Sequence, residues 1–305
     1  MRRTFKIKLE DFLSSFYRLV RGVPQGSILA PLLFSLFFNG VGSAVLSKFY
    51  GMFADDLSIT CFNKNLDDLI NDLSKIMESL DIWCRERDLI ISYAKTKYMI
   101  FSKTSLCKLL DVPTLSCNGN IIERVDNFKY LGIFFDSSLS FKFHFDYVCS
   151  RVSSAVGCML FIKRFLNLDT FRTLLNAFVL SIIDYGLIIW GKVSDSKIKI
   201  LQGKVNNVLG SFFYPQICNR FQRVNKIAHF YEHKSFQLPT INYYNLYEQC
   251  NIFTIEERIL YFYGIFCFKA IRNNHIPELK ESFKFSHSAR SQNISILQHH
   301  SDFFE

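Results

Sequence analysis

The chain has 305 residues, a formal net charge of +9 and a 49% share of hydrophobic residues, including 33 Phe. This length exceeds the usual single-domain size, so about two packed units are expected. The positive charge favours a polyanionic partner, and a basic surface without any partner is the alternative. The nine Cys residues include no CxxC pair, which indicates reduced thiols of an intracellular protein rather than a disulfide framework or a Cys-bound metal.

The first residues, MRRTFKIKLEDF, lack the apolar core of a secretory signal, so we expect an intracellular location in the nucleus or cytoplasm. Residues 28–46, ILAPLLFSLFFNGVGSAVL, carry no charge over a length that could span a membrane. Because Pro31, Asn39 and Gly40 interrupt this run, we predict a buried helix of a packed core and no membrane partner. A membrane protein built on the run is the alternative.

Residues 49–60 read FYGMFADDLSIT, with Asp55 and Asp56 between two strand-like stretches. The first stretch is apolar and the second alternates apolar and polar residues, which predicts an antiparallel hairpin with both carboxylates at its tip. Adjacent like charges repel each other, so their placement needs a reason. The pair is either an ordinary acidic turn, since Asp is common in turns, or a metal site. Local chemistry leaves both alternatives open.

The segments after the hairpin alternate between helix and strand. Asn65 is a predicted cap for a helix whose apolar residues recur every three or four positions up to Trp83. A strand is predicted from Tyr98 to Phe101, a turn at 117–120 (CNGN), and another strand at 127–135 with a bend at Gly132. This part of the chain is therefore predicted to be α+β.

The pattern changes to helices at about residue 142. Three helices are predicted from the spacing of apolar residues between Val148 and Leu209, the second of them capped by Asp169. A basic loop is expected at 216–239, followed by a last helix at about 255–271 and a polar, disordered tail. We therefore place the boundary between an α+β part and a nearly all-α part near residue 140.

A glycine-containing loop lies upstream of the hairpin, in RGVPQGSILAPLLF (residues 21–34). Gly22, Pro24 and Gly26 favour a tight turn, and the Gln25 amide offers both a donor and an acceptor. Free N–H groups at the start of a helix form a suitable resting place for a phosphate. Taken alone, however, PQGS is also an ordinary loop sequence.

Taken together and in order, PQGS, FADD, a long helix, YAKTKYMIF and KYLG resemble the reverse transcriptases of non-LTR retrotransposons, in particular the jockey-like LINE elements. The resemblance covers roughly residues 5–275. It implies an α+β fold in which an antiparallel hairpin sheet and packed helices form a partial polymerase palm. The implied regions are the partial palm at 1–140, a helical thumb at 141–215, a helical C-terminal region at 216–275 and a disordered tail at 276–305.

The resemblance also implies an activity, RNA-directed DNA polymerisation, with an RNA template, a DNA primer and deoxynucleoside triphosphates as partners. Two Mg²⁺ ions, or Mn²⁺ in their place, would be the cofactors. The residues with implied roles are Asp55 and Asp56 as catalytic metal ligands, Phe53 at the primer terminus, Ala54, Gln25 and Gly26 at the incoming nucleotide, Lys95 at the leaving pyrophosphate, and Lys129, Tyr130, Leu131 and Gly132 as the primer grip. For Lys95, a solvated surface lysine is an equal alternative.

Two departures from the family pattern limit what is expected of the chain. Ser92 stands where the family has Asn, and the family's first metal-binding Asp lies upstream of the PQGS loop. Asp11 is not a substitute, because its segment resembles the piece after that strand. We therefore expect a fragment that does not polymerise without the missing N-terminal half of the polymerase. The alternative is a non-catalytic nucleic-acid-binding remnant, and no acidic cluster suggests an RNase H or endonuclease.

Overall fold

The computed structural model describes residues 3–19, 22–23, 26–45, 49–101, 113–214, 242–273, 283–287 and 294–299. The basic loop predicted at 216–239 therefore lies outside the described residues. The chain divides into two compact units, 1–126 and 127–305, whereas the sequence places the boundary near residue 140. Both units mix helices with two-stranded antiparallel pairs, which agrees with an α+β class.

The described part of the first unit contains short strand pairs and three helices. Its elements are β1 (Arg3–Phe5), β2 (Lys8–Leu9), β3 (Phe12–Leu13), β4 (Tyr17–Leu19), α1 (Ala30–Phe38), α2 (Val41–Ala44), β5 (Phe49–Phe53), β6 (Asp56–Thr60), α3 (Leu66–Arg85), β7 (Lys97–Tyr98), β8 (Ser116–Cys117), β9 (Asn120–Ile121) and β10 (Glu123–Arg124). The antiparallel pairs are β1–β4, β2–β3, β5–β6 and β8–β9, and β7 pairs with β10 in parallel.

The uncharged run at 28–46 forms α1 and α2, but it is not the buried helix that the sequence predicts. Ala30, Val41 and Ala44 are buried, whereas Leu32 and Leu36 are 58% and 61% exposed. The difference arises because, within the described residues, the α2 end packs on α3 and most apolar side chains of α1 do not enter a core cluster.

Helix α3 is the centre of the first unit. It begins as predicted, because the side chain of Asn65 accepts a hydrogen bond from the Asp67 N–H at 2.8 Å. Two groups of apolar residues on α3 enter two different clusters. One group, Ile76, Leu80, Trp83 and Cys84, meets Val41, Ala44 and Val45, and the other, Ile70 and Met77, meets Leu115, Cys117 and Ile122.

The second unit is mainly helical. Its elements are β11 (Asn127–Tyr130), β12 (Ile133–Asp136), α4 (Lys142–Ile162), α5 (Leu168–Leu174), α6 (Ser181–Asp184), α7 (Leu187–Trp190), α8 (Asp195–Phe213), α9 (Tyr243–Cys250), α10 (Ile255–Asn273), β13 (Phe283–His287) and β14 (Ile294–His299). Strands β11 and β12 are antiparallel, as are β13 and β14, so these described residues of the predicted disordered tail form strands.

Four local predictions differ from the structure, three of them in the second unit. The stretch 127–135 is a hairpin rather than one bent strand, because Leu131 and Gly132 both take positive φ angles and reverse the chain. The cap of α5 is Asn167, which accepts from the Thr170 N–H at 2.9 Å, and Asp169 lies in the first turn. The predicted second helix continues beyond α5 as a π-helical stretch, Leu175–Leu180, before α6. In the first unit, the strand predicted at 98–101 is only Lys97–Tyr98.

The core of the second unit gathers the buried faces of α4 to α10 around fully buried Phe171 and Trp190. One helix of the described residues, Lys142–Phe165, is long and apolar enough to cross a membrane, with a mean hydropathy of 1.3. Its buried residues Val148, Val152 and Met159 pack into this core. A single helix of this kind is a weak indication of a membrane span, because core helices of soluble proteins pass the same test.

Candidate active site

The acidic motif forms the predicted hairpin. Strands β5 and β6 pair antiparallel from Phe49 opposite Thr60 to Phe53 opposite Asp56, which confirms the hairpin. Only Ala54 and Asp55 form the connecting turn, and Asp56 is the first residue of β6. Ala54 has a φ of +52°, a left-handed conformation that side-chain-bearing residues rarely adopt. Asp55 therefore lies in a strained turn at the end of a short ribbon, and Asp56 follows it directly.

The hairpin is attached to the first unit by its apolar side chains. Met52, Leu57 and Ile59 are half-buried and pack against the cluster formed by α2 and α3. Successive residues of a strand point to opposite faces, so the residues next to Met52 and Leu57 in sequence lie on the face of the hairpin that points away from this cluster. Phe53 is 66% exposed, and Asp55 and Asp56 are exposed too.

The chemistry of this tip is that of an open, acidic oxygen-donor site. Within the described residues, the carboxylates of Asp55 and Asp56 make no hydrogen bond or ion pair. Carboxylate oxygens are the ligands that Mg²⁺ prefers, so the pair fits a hard divalent cation. The described part of the chain brings no third His, Cys, Asp or Glu to a common metal site. The two carboxylates are thus suitable ligands but an incomplete set.

The other nucleotide-binding residues expected from the sequence lie on separate loops of the first unit. Gly26 has a φ of +82° and precedes α1, whereas Gln25 lies outside the described residues. Lys95 is exposed in a turn closed by hydrogen bonds from the N–H groups of Lys95 and Thr96 to the Ser92 carbonyl, both 3.0 Å long. In the described residues the Lys95 ammonium has no ion-pair partner, so its charge is available to an anion.

A buried carboxylate holds the turn that carries Lys95. Asp81 of α3 is 5% exposed and accepts from the Tyr93 hydroxyl at 2.7 Å and the Asn118 amide at 2.5 Å. Arg85 adds an ion pair at 2.7 Å. Burial, followed by the hydrogen bond to Asp81, raises the pKa of Tyr93, which therefore stays a protonated donor. This network fixes the Tyr93–Lys95 turn to α3.

The stretch 129–132 belongs to the second unit, where it forms the end of the β11–β12 hairpin. Lys129 and Tyr130 are in β11, and Leu131 and Gly132 form a two-residue turn with φ angles of +44° and +83°. Positive φ at both positions is the requirement of a type I′ turn, the preferred link of a tight hairpin. The Lys129 ammonium lies 4.9 Å from the centre of the Tyr147 ring of α4.

A residue that no apolar periodicity marks, Tyr185, holds this turn. The hydroxyl of Tyr185 donates to the Leu131 carbonyl at 2.6 Å, across 54 positions of the chain. Tyr185 is followed by Gly186, and together they separate α6 from α7. The only sequence signal was the DYG triplet inside an apolar run, a polar interruption that periodicity alone does not explain.

The chain is similar to known proteins over part of its length. Residues 2–135 match the family described as "Reverse transcriptase (RNA-dependent DNA polymerase)". The chain is 26% identical over 227 residues to the "RNA-directed DNA polymerase from mobile element jockey" of Drosophila melanogaster, covering 70% of this chain and 24% of the relative. It is also 26% identical over 213 residues to the "Probable RNA-directed DNA polymerase from transposon X-element" of the same species, covering 68% and 23%. No solved structure matches the chain significantly.

The family match and the relatives define the class that this chain resembles. Residues 2–135 are similar to the reverse transcriptase family. The relatives come from the jockey and X-element transposons, which confirms the resemblance to the reverse transcriptases of non-LTR retrotransposons that the sequence shows. The chain spans about a quarter of the length of the curated relatives it matches.

Proposed function

We propose that this chain provides part of the active site of an RNA-directed DNA polymerase, and that Asp55 and Asp56 bind Mg²⁺ there. The observation that carries the proposal is the hairpin tip, where two carboxylates are exposed and without partners among the described residues. An acidic turn with a purely structural role would be expected to use its carboxylates as acceptors of hydrogen bonds within the loop. The carboxylates of Asp55 and Asp56 accept no such hydrogen bond from the described residues.

The residues around the carboxylates have matching roles in the proposed reaction. A bound Mg²⁺ ion would supply the charge that lowers the pKa of the primer hydroxyl and neutralises the triphosphate. The exposed ring of Phe53 offers a stacking surface for the primer terminus, and the small Ala54 leaves room for a nucleotide. Gln25 and Gly26 would contact the incoming nucleotide. The Lys95 ammonium, held on its rigid turn, would stabilise the leaving pyrophosphate.

The proposed chemistry also defines what the hairpin needs from elsewhere. A pair of metal ions in this chemistry would need more carboxylate ligands than Asp55 and Asp56 supply. The described residues contribute only the pair on β5–β6 to such a group. We therefore propose that a further carboxylate comes from a polymerase segment corresponding to the region upstream of the PQGS loop. Template RNA, primer DNA and deoxynucleoside triphosphates would be the partners of the assembled site.

A non-catalytic nucleic-acid-binding role is the second candidate, and two basic sites on the second unit support it. Lys129 and Arg151 lie beside the ring of Tyr147, and Lys204 lies beside the hydroxyl of Ser153 on another flank of α4. The Arg151 guanidinium lies 5.8 Å from the Tyr147 ring centre, and the Lys204 ammonium donates to the Ser153 hydroxyl at 2.7 Å. Cations beside aromatic rings are suited to phosphates and bases of a nucleic acid. Binding alone would leave Asp55 without a role.

The test compares metal-dependent synthesis with binding. Labelled-nucleotide incorporation on an RNA template would be measured with the 305-residue chain and with the chain extended by the upstream polymerase segment. We expect synthesis by the extended protein, with a loss of about a hundredfold or more in Asp55→Asn. Asp11→Asn is the matched control, because Asp11 is also exposed between two hairpin strands and should leave synthesis unchanged. Synthesis that survives Asp55→Asn would contradict the metal site, and duplex binding without any synthesis would favour the second candidate.

A further inference from the structure

The turn between β11 and β12 is held in an unfavourable backbone conformation by contacts from outside the hairpin. Leu131 has a φ of +44°, a conformation that is unfavourable for a residue with a side chain. Gly132, with a φ of +83°, takes the same region at no such cost. A turn of this sequence is expected to exchange with other conformations unless neighbouring groups stabilise it.

Tyr185 supplies that stabilisation. Its hydroxyl donates to the Leu131 carbonyl at 2.6 Å. Its ring lies so close to Gly132 that a Cβ atom added there would be 3.0 Å from ring carbon Cε1. Yet Tyr185 is 56% exposed, so it is not a core residue. Among the described residues of the turn, Tyr185 contacts the backbone of Leu131, and its ring occupies the space beside Gly132 that a side chain would need.

The residues on either side of Tyr185 are also fixed. The Trp190 indole N–H donates to the Tyr185 carbonyl at 2.9 Å. Asp184 accepts two hydrogen bonds from the Arg258 guanidinium, at 2.7 and 2.5 Å. Gly186 has a φ of +63° and would place an added Cβ 2.4 Å from the Ile133 side chain. Three consecutive residues therefore connect the hairpin to α7 and α10.

We propose that Tyr185 is a positioning residue for nucleic-acid binding: it keeps the 130–132 turn in its binding conformation before the duplex arrives. The inference rests on the proposed function, together with the primer-grip role that the resemblance implies for Lys129–Gly132. A preformed turn spares the complex the free-energy cost of ordering it on binding. Because the contact consists of one hydroxyl on an exposed ring, its removal should affect the turn without unfolding the unit.

The experiment uses the 305-residue chain and a fluorescent RNA–DNA primer–template duplex. Affinity is measured by anisotropy at low salt, and local opening by amide hydrogen exchange of peptides covering 129–136. The change Tyr185→Phe removes the hydroxyl alone. Tyr244→Phe is the matched control, because Tyr244 is 59% exposed in the same unit and its hydroxyl makes no hydrogen bond with a described residue.

Loss of one hydrogen bond is expected to raise the duplex Kd and the exchange rate of the turn by about fivefold each. The thermal midpoint and the control should stay unchanged. Gly132→Ala attacks the same contact from the other side, so Gly132→Ala with Tyr185→Phe should cost less than the product of the two single losses. Faster exchange with an unchanged Kd would overturn the inference. A loss of affinity in the double variant equal to the product of the two single losses would overturn it too. If the wild-type chain bound no duplex at all, this separate measurement would refute duplex binding itself.

Discussion

Nδ1 of His144 accepts a hydrogen bond from the backbone N–H of Phe134 at 3.3 Å. His144 is only 2% exposed, and its Nε2 has no hydrogen-bond partner among the described residues. Burial, followed by the positive charge of Lys129, lowers the pKa of His144 to about 4. The neutral ring thus connects the β11–β12 hairpin to the first turn of α4. Protonation of Nδ1 would remove the acceptor of this hydrogen bond.

We predict that the free energy of unfolding decreases as the pH falls from about 6.5 to 4. The unfolded state takes up a proton at the ordinary His pKa of 6.5, whereas the folded state resists it down to about 4. Stability from this group is therefore complete above pH 6.5 and is lost by up to about 3 kcal/mol toward pH 4. Urea titrations at several pH values measure the slope.

The variant His144→Asn separates this residue from other titrating groups. Asn retains a side-chain oxygen near the position of Nδ1 but does not titrate. Its unfolding free energy should depend less on pH between 6.5 and 4 than that of the wild-type chain. Parallel curves for the two proteins would contradict the assignment to His144.

The ion pair between Asp184 and Arg258 should contribute far more to stability than an exposed pair. Its side chains are 21% and 13% exposed, so Asp184→Asn leaves a largely buried guanidinium without its charge partner. We expect a loss of about 2 kcal/mol in the free energy of unfolding. The control is Asp169→Asn, which breaks the more exposed pair with Arg172, 3.5 Å apart, and should cost at most about 0.5 kcal/mol. Equal losses in the two variants would argue against this ranking.

The sequence predicts elements that depend on neighbouring residues, but it does not predict contacts between distant parts of the chain. The Asn65 cap and the 49–60 hairpin depend on residues within a few positions, so local patterns were sufficient. The Asp184–Arg258 pair joins residues 74 positions apart, and no periodicity marks it. The exposed face of α1 was mispredicted because hydrophobicity indicates a need for burial but does not identify the covering element.

The turn at the acidic hairpin offers a prediction about backbone strain. Ala54 has a positive φ, so Ala54→Gly should relieve the strain of its Cβ and stabilise the first unit by up to about 1 kcal/mol. Ala94→Gly is the control, because Ala94 is also an exposed turn residue but its φ is not positive. It should be neutral or destabilising, since glycine gains freedom in the unfolded chain. Chemical unfolding measures both, and a destabilising Ala54→Gly would show that the turn is not strained.

The last prediction concerns the salt dependence of nucleic-acid binding by the second unit. Each Lys or Arg that neutralises a phosphate releases a counterion, so the logarithm of the binding constant falls with the logarithm of salt concentration. Lys204→Ala should weaken duplex binding across sequences and reduce the magnitude of this slope by about 1. Lys199→Ala is the control: Lys199 is exposed on the same helix, α8, but five positions away and therefore about 140° around its axis. It should leave the slope unchanged. If both variants reduced the slope equally, the phosphate contacts would be spread over the basic surface, and Lys204 would not mark a specific binding site.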